Sequence, residues 1–155
     1  MAFDEAAVNT LMTNVTDHAS RLGVFRSVNK HEPKGAPGSG MRYSVWVQTI
    51  EPLGAASGLA ETSGYVVLWG RIFGNAFMKP EDELDPQMLT AATTLLAAYS
   101  GDFNFGDTVR NVDLLGTFGQ KMGAQAGYVT IQQTMYRVMT ITIPVIINDM
   151  WTQVA

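Results

Sequence analysis

The 155-residue chain is long enough for one domain with an ordinary hydrophobic core, yet only 15% of it is charged against 46% hydrophobic, well short of the ~25% charge usual in soluble domains. Ten Lys and Arg against fourteen Asp and Glu leave a formal charge of −4, which argues against nonspecific nucleic-acid binding while leaving a local basic patch open. The absence of cysteine excludes disulfides and thiolate metal sites; an acidic start at Asp4-Glu5 and no apolar run of membrane length lead us to expect a protein that is cytosolic when made.

The first element is a helix from about Asp4 to Leu22. Ala7, Val8, Leu11, Met12, Val15, Ala19 and Leu22 recur at helical steps, Asp4 is placed to cap the free N–H groups, and Gly23 supplies the stop. Val24 to Val28 reads as a short strand. Asn29 to Gly40 then reads as a loop, because two prolines and three glycines fall within His31–Gly40. Met41 to Ile50 alternates as a strand does, with Tyr43, Val45 and Val47 opposite Ser44, Trp46 and Gln48. After a break at Pro52–Ser63, strand character resumes from Gly64 to Phe73. Tyr65, Val67, Trp69 and Phe73 share one face with Arg71, and Val66, Leu68 and Ile72 share the other. Two apolar faces predict a central strand covered on both sides, one of them by helix or by a neighbouring subunit.

A second helix is expected from Asp85 as N-cap, with Pro86 in the first helical position, to Gly101, burying Met88, Leu89, Ala92, Leu95, Leu96 and Tyr99. Arg110 to Leu115 reads as a strand and Gly116 to Gly127 as a glycine-spaced loop. Tyr128 to Gln132 and Met135 to Ile147 read as a hairpin about Gln133-Thr134. Pro144 cannot donate to a ladder, which places it at a sheet edge or where pairing stops. The sum is a single α+β domain over residues 1–155, with two helices packed on a mainly antiparallel sheet of about five or six strands.

Chemical groups are sparse. His18 and His31 lack a second imidazole at metal-ligand spacing, so a structural or solvent-exposed role is expected for both, and neither a metal nor a cofactor is expected. Glu81-Asp82-Glu83-Leu84-Asp85 lacks the spacing and glycine of a calcium loop and reads as charge favouring the following helix's positive end. Gly35–Gly40 lacks the lysine and hydroxyl of a phosphate loop. Ser39, Ser57, Ser63 and Ser100 have no base nearby in sequence. Trp46, Trp69 and Trp151 are candidate interface anchors, as large aromatics dominate binding hot spots, with core burial the favoured role for Trp46 and Trp69. So weakly charged a chain exposes apolar surface as a monomer, and copies of itself are the simplest cover.

Leu95-Leu96-Ala97-Ala98-Tyr99-Ser100-Gly101-Asp102-Phe103, Val109-Arg110-Asn111-Val112-Asp113-Leu114-Leu115-Gly116, Tyr136-Arg137-Val138-Met139-Thr140-Ile141-Thr142-Ile143-Pro144 and Asn148-Asp149 follow one another along the chain. Together with Asn29–Lys34, Trp46-Val47-Gln48 and Ser57-Gly58-Leu59-Ala60 upstream, this succession resembles tail terminator proteins of long, flexible-tailed bacteriophages, particularly of actinobacterial hosts. Gln132-Gln133-Thr134 departs from that pattern, in a turn expected to vary. The resemblance implies a virion structural protein without enzymatic activity, made in the host cytoplasm. It would form a ring, usually hexameric, at the head-proximal end of the tail. Such a ring caps the tail tube protein, stops polymerisation and meets a head-completion or connector protein, with DNA at most passing through the lumen. A connector adaptor at the neck is the alternative. Loop length and composition point to Lys30, His31, Lys34, Leu59, Glu61, Phe118, Lys121 and Trp151 as contact residues. Phe103 and Phe105 are either a plug over the core or anchors in the next subunit.

Overall fold

The computed structural model describes residues 3–54, 60–77 and 79–153. The first helix, α1 (Glu5–Leu22), forms as its periodicity dictates. Asp4 accepts a hydrogen bond from the Ala7 N–H at 3.0 Å, and Gly23 closes the helix at φ 68°, a left-handed conformation that suits glycine. Leu11, Met12, Val15 and Ala19 are buried. The chain then enters β1 (Ser27–Asn29), a shorter strand than expected and one that starts later. Val24 stands exposed instead, and Phe25 leaves the backbone register to stack on Tyr43 at 5.3 Å.

All the strands form one sheet. β2 (Arg42–Pro52) pairs parallel with β1 and antiparallel with β3 (Glu61–Asn75), which pairs antiparallel with β6 (Thr134–Thr152). On the far side of β6 lie β4 (Asn111–Val112) and then β5 (Gly123–Ile131), both antiparallel to it. The fold is therefore α+β, two helices on a mainly antiparallel six-stranded sheet. β3 is the central strand its two apolar faces predict. Val66, Leu68 and Ile72 join α1, α2 and the Ile141, Ile143, Val145 and Ile147 side of β6 in the main core. The opposite face holds two smaller clusters, Tyr65 and Val67 with Leu53 and Ile146, and Phe73 with Tyr136 and Val138.

Several expectations require correction. α2 spans Leu84–Gly101 and is capped at Glu83 after a 3₁₀ turn over Glu81–Glu83, so Asp85 is not the N-cap. Pro86 falls later in the first turn, where backbone N–H groups lack helical partners anyway. The buried stripe is Leu84, Met88, Ala91, Ala92, Leu95 and Tyr99, which leaves Leu89 exposed and Leu96 at its margin. β4 is only two residues long because Asp113 turns the chain away, leaving Leu114 and Leu115 exposed.

β5 claims Gly123 to Gly127, residues whose composition reads as loop; pairing with β6 imposes the extension. The hairpin turns on Gln132-Gln133, at φ 49° and 67°, one residue earlier than expected. Of the two places expected for Pro144, it occupies the one where pairing stops and not a sheet edge, since β6 is paired on both sides. Its missing donor falls between Thr142, where the β5 ladder ends, and Val145, where the β4 ladder begins. The Pro144 carbonyl still accepts from the Asp113 N–H at 2.8 Å.

Candidate interaction surfaces

Two segments cap the ends of the sheet face opposite the helices. At one end, Asp113 is buried and its carboxylate accepts from the N–H groups of Thr117 at 2.8 Å and Phe118 at 3.0 Å, and from the Tyr65 hydroxyl at 2.8 Å. The single hydroxyl proton of Tyr65 is shared with the Gln120 carbonyl, also 2.8 Å away. Burial and the neighbouring carboxylate both push the Tyr65 phenol above its ordinary range, keeping it a neutral donor. One buried acid thus folds residues 113–121 into a fixed bend that holds Leu115 83% exposed, with Leu114 and Phe118 exposed beside it. Lys121 lies exposed at the end of that bend.

At the other end, Gln132 of the hairpin turn accepts from the Ala36 N–H at 3.2 Å, and the Tyr136 hydroxyl accepts from the Gly38 N–H at 3.2 Å. Arg42 donates from Nε to the Ser39 carbonyl and from Nη1 to the Ser27 hydroxyl, each at 3.1 Å. These bonds tie the 30–41 loop to the sheet and leave Lys34 and His31 exposed beside a small polar hollow. Lys30 is exposed but bonds the Thr13 hydroxyl of α1 at 2.6 Å.

Between the two caps, Trp46 and Trp69 are only partly buried on this sheet face, Trp69 packing against the Tyr65 and Val67 cluster and neither joining the main core. They flank Arg71, whose guanidinium lies 5.6 Å from one ring and 5.8 Å from the other and bonds the Thr140 hydroxyl at 2.8 Å. Cross-strand pairing of Trp46 with Trp69 and of Arg71 with Thr140 brings these groups together.

The remaining expected contact residues scatter. Phe103 is 56% exposed, whereas Phe105 is fully buried against Tyr99 and His18, so Phe105 is the core plug and not an anchor. Glu61 and Trp151 sit near the far ends of β3 and β6, Glu61 accepting from the Thr152 hydroxyl at 3.1 Å. Leu59 lies outside the described residues. His18 bonds Asp102 at 2.8 Å, its one hydrogen-bond partner among the described residues, and sets its ring edge-on to Tyr99 at 5.7 Å. That contact joins α1 to the end of α2.

Among the described residues no group of three or more His, Asp or Glu is placed to hold a metal, and no helix is long and apolar enough to cross a membrane. The surfaces sequence reasoning missed are the Leu114-Leu115 bend, which reads as strand, and the Gly123–Gly127 part of the β5 edge, which reads as loop.

No protein-family model and no curated protein matches the chain. Among solved structures, a chain from the virion of a native gene transfer agent particle superposes with a TM-score of 0.40 at 12% identity, covering 92% of this chain and 98% of that one. That superposition is too loose to define a shared fold.

Proposed function

We propose that this chain is a virion structural protein, a single-domain tail terminator whose copies close into a ring. The ring caps the tail tube, ends its polymerisation and offers a surface to the head-completion proteins. The observation that carries this reading is the built display of apolar side chains. Asp113 spends a buried carboxylate on fixing a bend whose outward residues are Leu114, Leu115 and Phe118. Ordering a loop costs conformational entropy, and one that presents leucine to water in a fixed pose is suited to contact with another protein. The sparse charge of the chain and its resemblance to tail terminators point the same way.

A ring built from heterologous contacts sets one face of each copy against a different face of the next, and closure removes the free ends that would otherwise grow into filaments. Adding the purified protein to polymerising tail tube protein tests the reading. Tubes of limited length, with extra density at one end, are expected. Tubes of unchanged length with bare ends, together with recovery of the protein on tailless heads, would replace the terminator with a connector adaptor.

A further inference from the structure

β5 is an unprotected sheet edge. Among the described residues it pairs with β6 alone, through an unbroken register from Gly123↔Thr142 to Ile131↔Thr134. Natural sheets guard such edges with lysine, proline, a bulge or brevity. The nine residues of β5, Gly-Ala-Gln-Ala-Gly-Tyr-Val-Thr-Ile, include no charged residue and no proline. The two-residue turn makes Ile131 and Thr134 a hydrogen-bonded pair, so ladder alternation directs the N–H and C=O groups of Ala124, Ala126, Tyr128 and Thr130 away from β6.

A second open edge lies across the same sheet. β1 covers β2 only from Arg42 to Ser44, so from Val45 to Pro52 the outer side of β2 has no strand partner among the described residues. The register shift between Val47 and Thr49 brings Val47, opposite Leu68, and Ile50, opposite Val66, onto the same helix-side face. They are 42% and 55% exposed. Ala124 and Ala126 of β5, opposite Ile141 and Met139, lie on that face too, and their small side chains leave room for branched ones.

We infer that Val45–Pro52 of one copy docks antiparallel on the outer edge of β5 in the next, continuing the sheet from subunit to subunit. The inference rests on the ring reading above. Strand direction reverses from β2 to β3, from β3 to β6 and from β6 to β5, so β2 and β5 run in opposite senses. Rotation about an axis lying roughly along the strands preserves those senses, which makes the new pair antiparallel and keeps every helix on one side of the ring. β5 lies level with Thr134–Thr142 of β6, whereas the free part of β2 lies, through β3, level with Ile141–Ile147. Matching the two therefore tilts the strands from the axis, as closure of a sheet requires. A two-fold β5–β5 contact would leave Val47 and Ile50 in water, while the β2–β5 contact covers both edges at every interface.

The chain has no cysteine, so a designed pair can be read without background. Ile50→Cys with Ala126→Cys, each single variant, and a second pair on the same face one register step away, Ile50→Cys with Ala124→Cys, are treated with a short bis-maleimide, alone and with tail tube. Light scattering follows assembly in parallel, and circular dichroism confirms folding. A ladder of linked multimers from at least one pair, and none from the singles, is expected. Dimers from Ala126→Cys alone would overturn the inference in favour of two-fold pairing. Multimers in scattering without cross-links from either pair would overturn it and leave the ring standing. Monomers under both conditions would remove the ring and this inference together.

Discussion

Tyr99→Phe is expected to cost more stability than Tyr43→Phe, although both delete one hydroxyl from the same buried contact. Tyr43 and Tyr99 are fully buried, and their hydroxyls lie 2.9 Å apart. Tyr99 donates to the Val15 carbonyl of α1 at 3.1 Å, which leaves Tyr43 to donate to Tyr99. Removing the Tyr43 hydroxyl leaves the Tyr99 donor satisfied, and the loss is that of one ordinary bond, about 0.5–1.5 kcal/mol. Removing the Tyr99 hydroxyl strands the Tyr43 donor in the core and costs up to about 3 kcal/mol. In the double variant no donor is stranded, and the Val15 carbonyl, inside α1, keeps its helical bond. The double change should therefore cost less than the sum of the singles by about 1 kcal/mol or more. Urea unfolding of the four proteins closes the cycle. Equal single effects, or additivity within about 0.5 kcal/mol, would refute the assigned direction of donation.

Burial raises the pKa of both tyrosines, and of Tyr65 with help from Asp113, so the fold holds all three neutral. Their contribution is complete below the unfolded value of about 10 and is lost as pH rises above it, because the native state then keeps protons the unfolded chain releases. Urea midpoints should fall above about pH 10, and fall less steeply in the Tyr43→Phe/Tyr99→Phe protein; a parallel fall in both would contradict this. Asp113→Ala should destabilise by about 2–3 kcal/mol through loss of bonds to a charged acceptor. Hydrogen exchange should quicken at the Thr117 and Phe118 amides, and unchanged exchange there would deny Asp113 its organising part. Lys34→Glu and Lys121→Glu, both at exposed positions, should leave the unfolding midpoint nearly unchanged while impairing tail assembly. Normal tails from both would take these lysines off the contact surface.

Where a segment's own composition decided its conformation, sequence reading was accurate. α1, with Asp4 before its apolar stripe and Gly23 after it, forms as expected, and the two-faced apolar pattern of Gly64–Phe73 marks the central strand. Misreadings arose where distant partners decide. Gly123–Gly127 lacks β-branched or aromatic residues and becomes strand only because β6 offers its edge. Asp113 reads as part of a strand over Arg110–Leu115, and its three hydrogen bonds to residues on either side of it in sequence were invisible from the chain alone. Asp85 carries a good capping signal but instead receives two hydrogen bonds from Arg137, at 2.9 and 3.2 Å. Among the contact residues, Phe105 shows the same limit: Phe103 and Phe105 look alike in sequence, and only packing against His18 and Tyr99 separates plug from exposed ring.

The central claim is that the apolar margins of this sheet are covered by further copies of the chain. Light scattering of the full chain at rising concentration, with and without purified tail tube, measures that cover directly. The account predicts a closed particle of several copies in at least one of the two conditions, with a mass that stops growing as concentration increases. A single-copy species at the highest concentration reached, still single and unbound when tube is present, would contradict it.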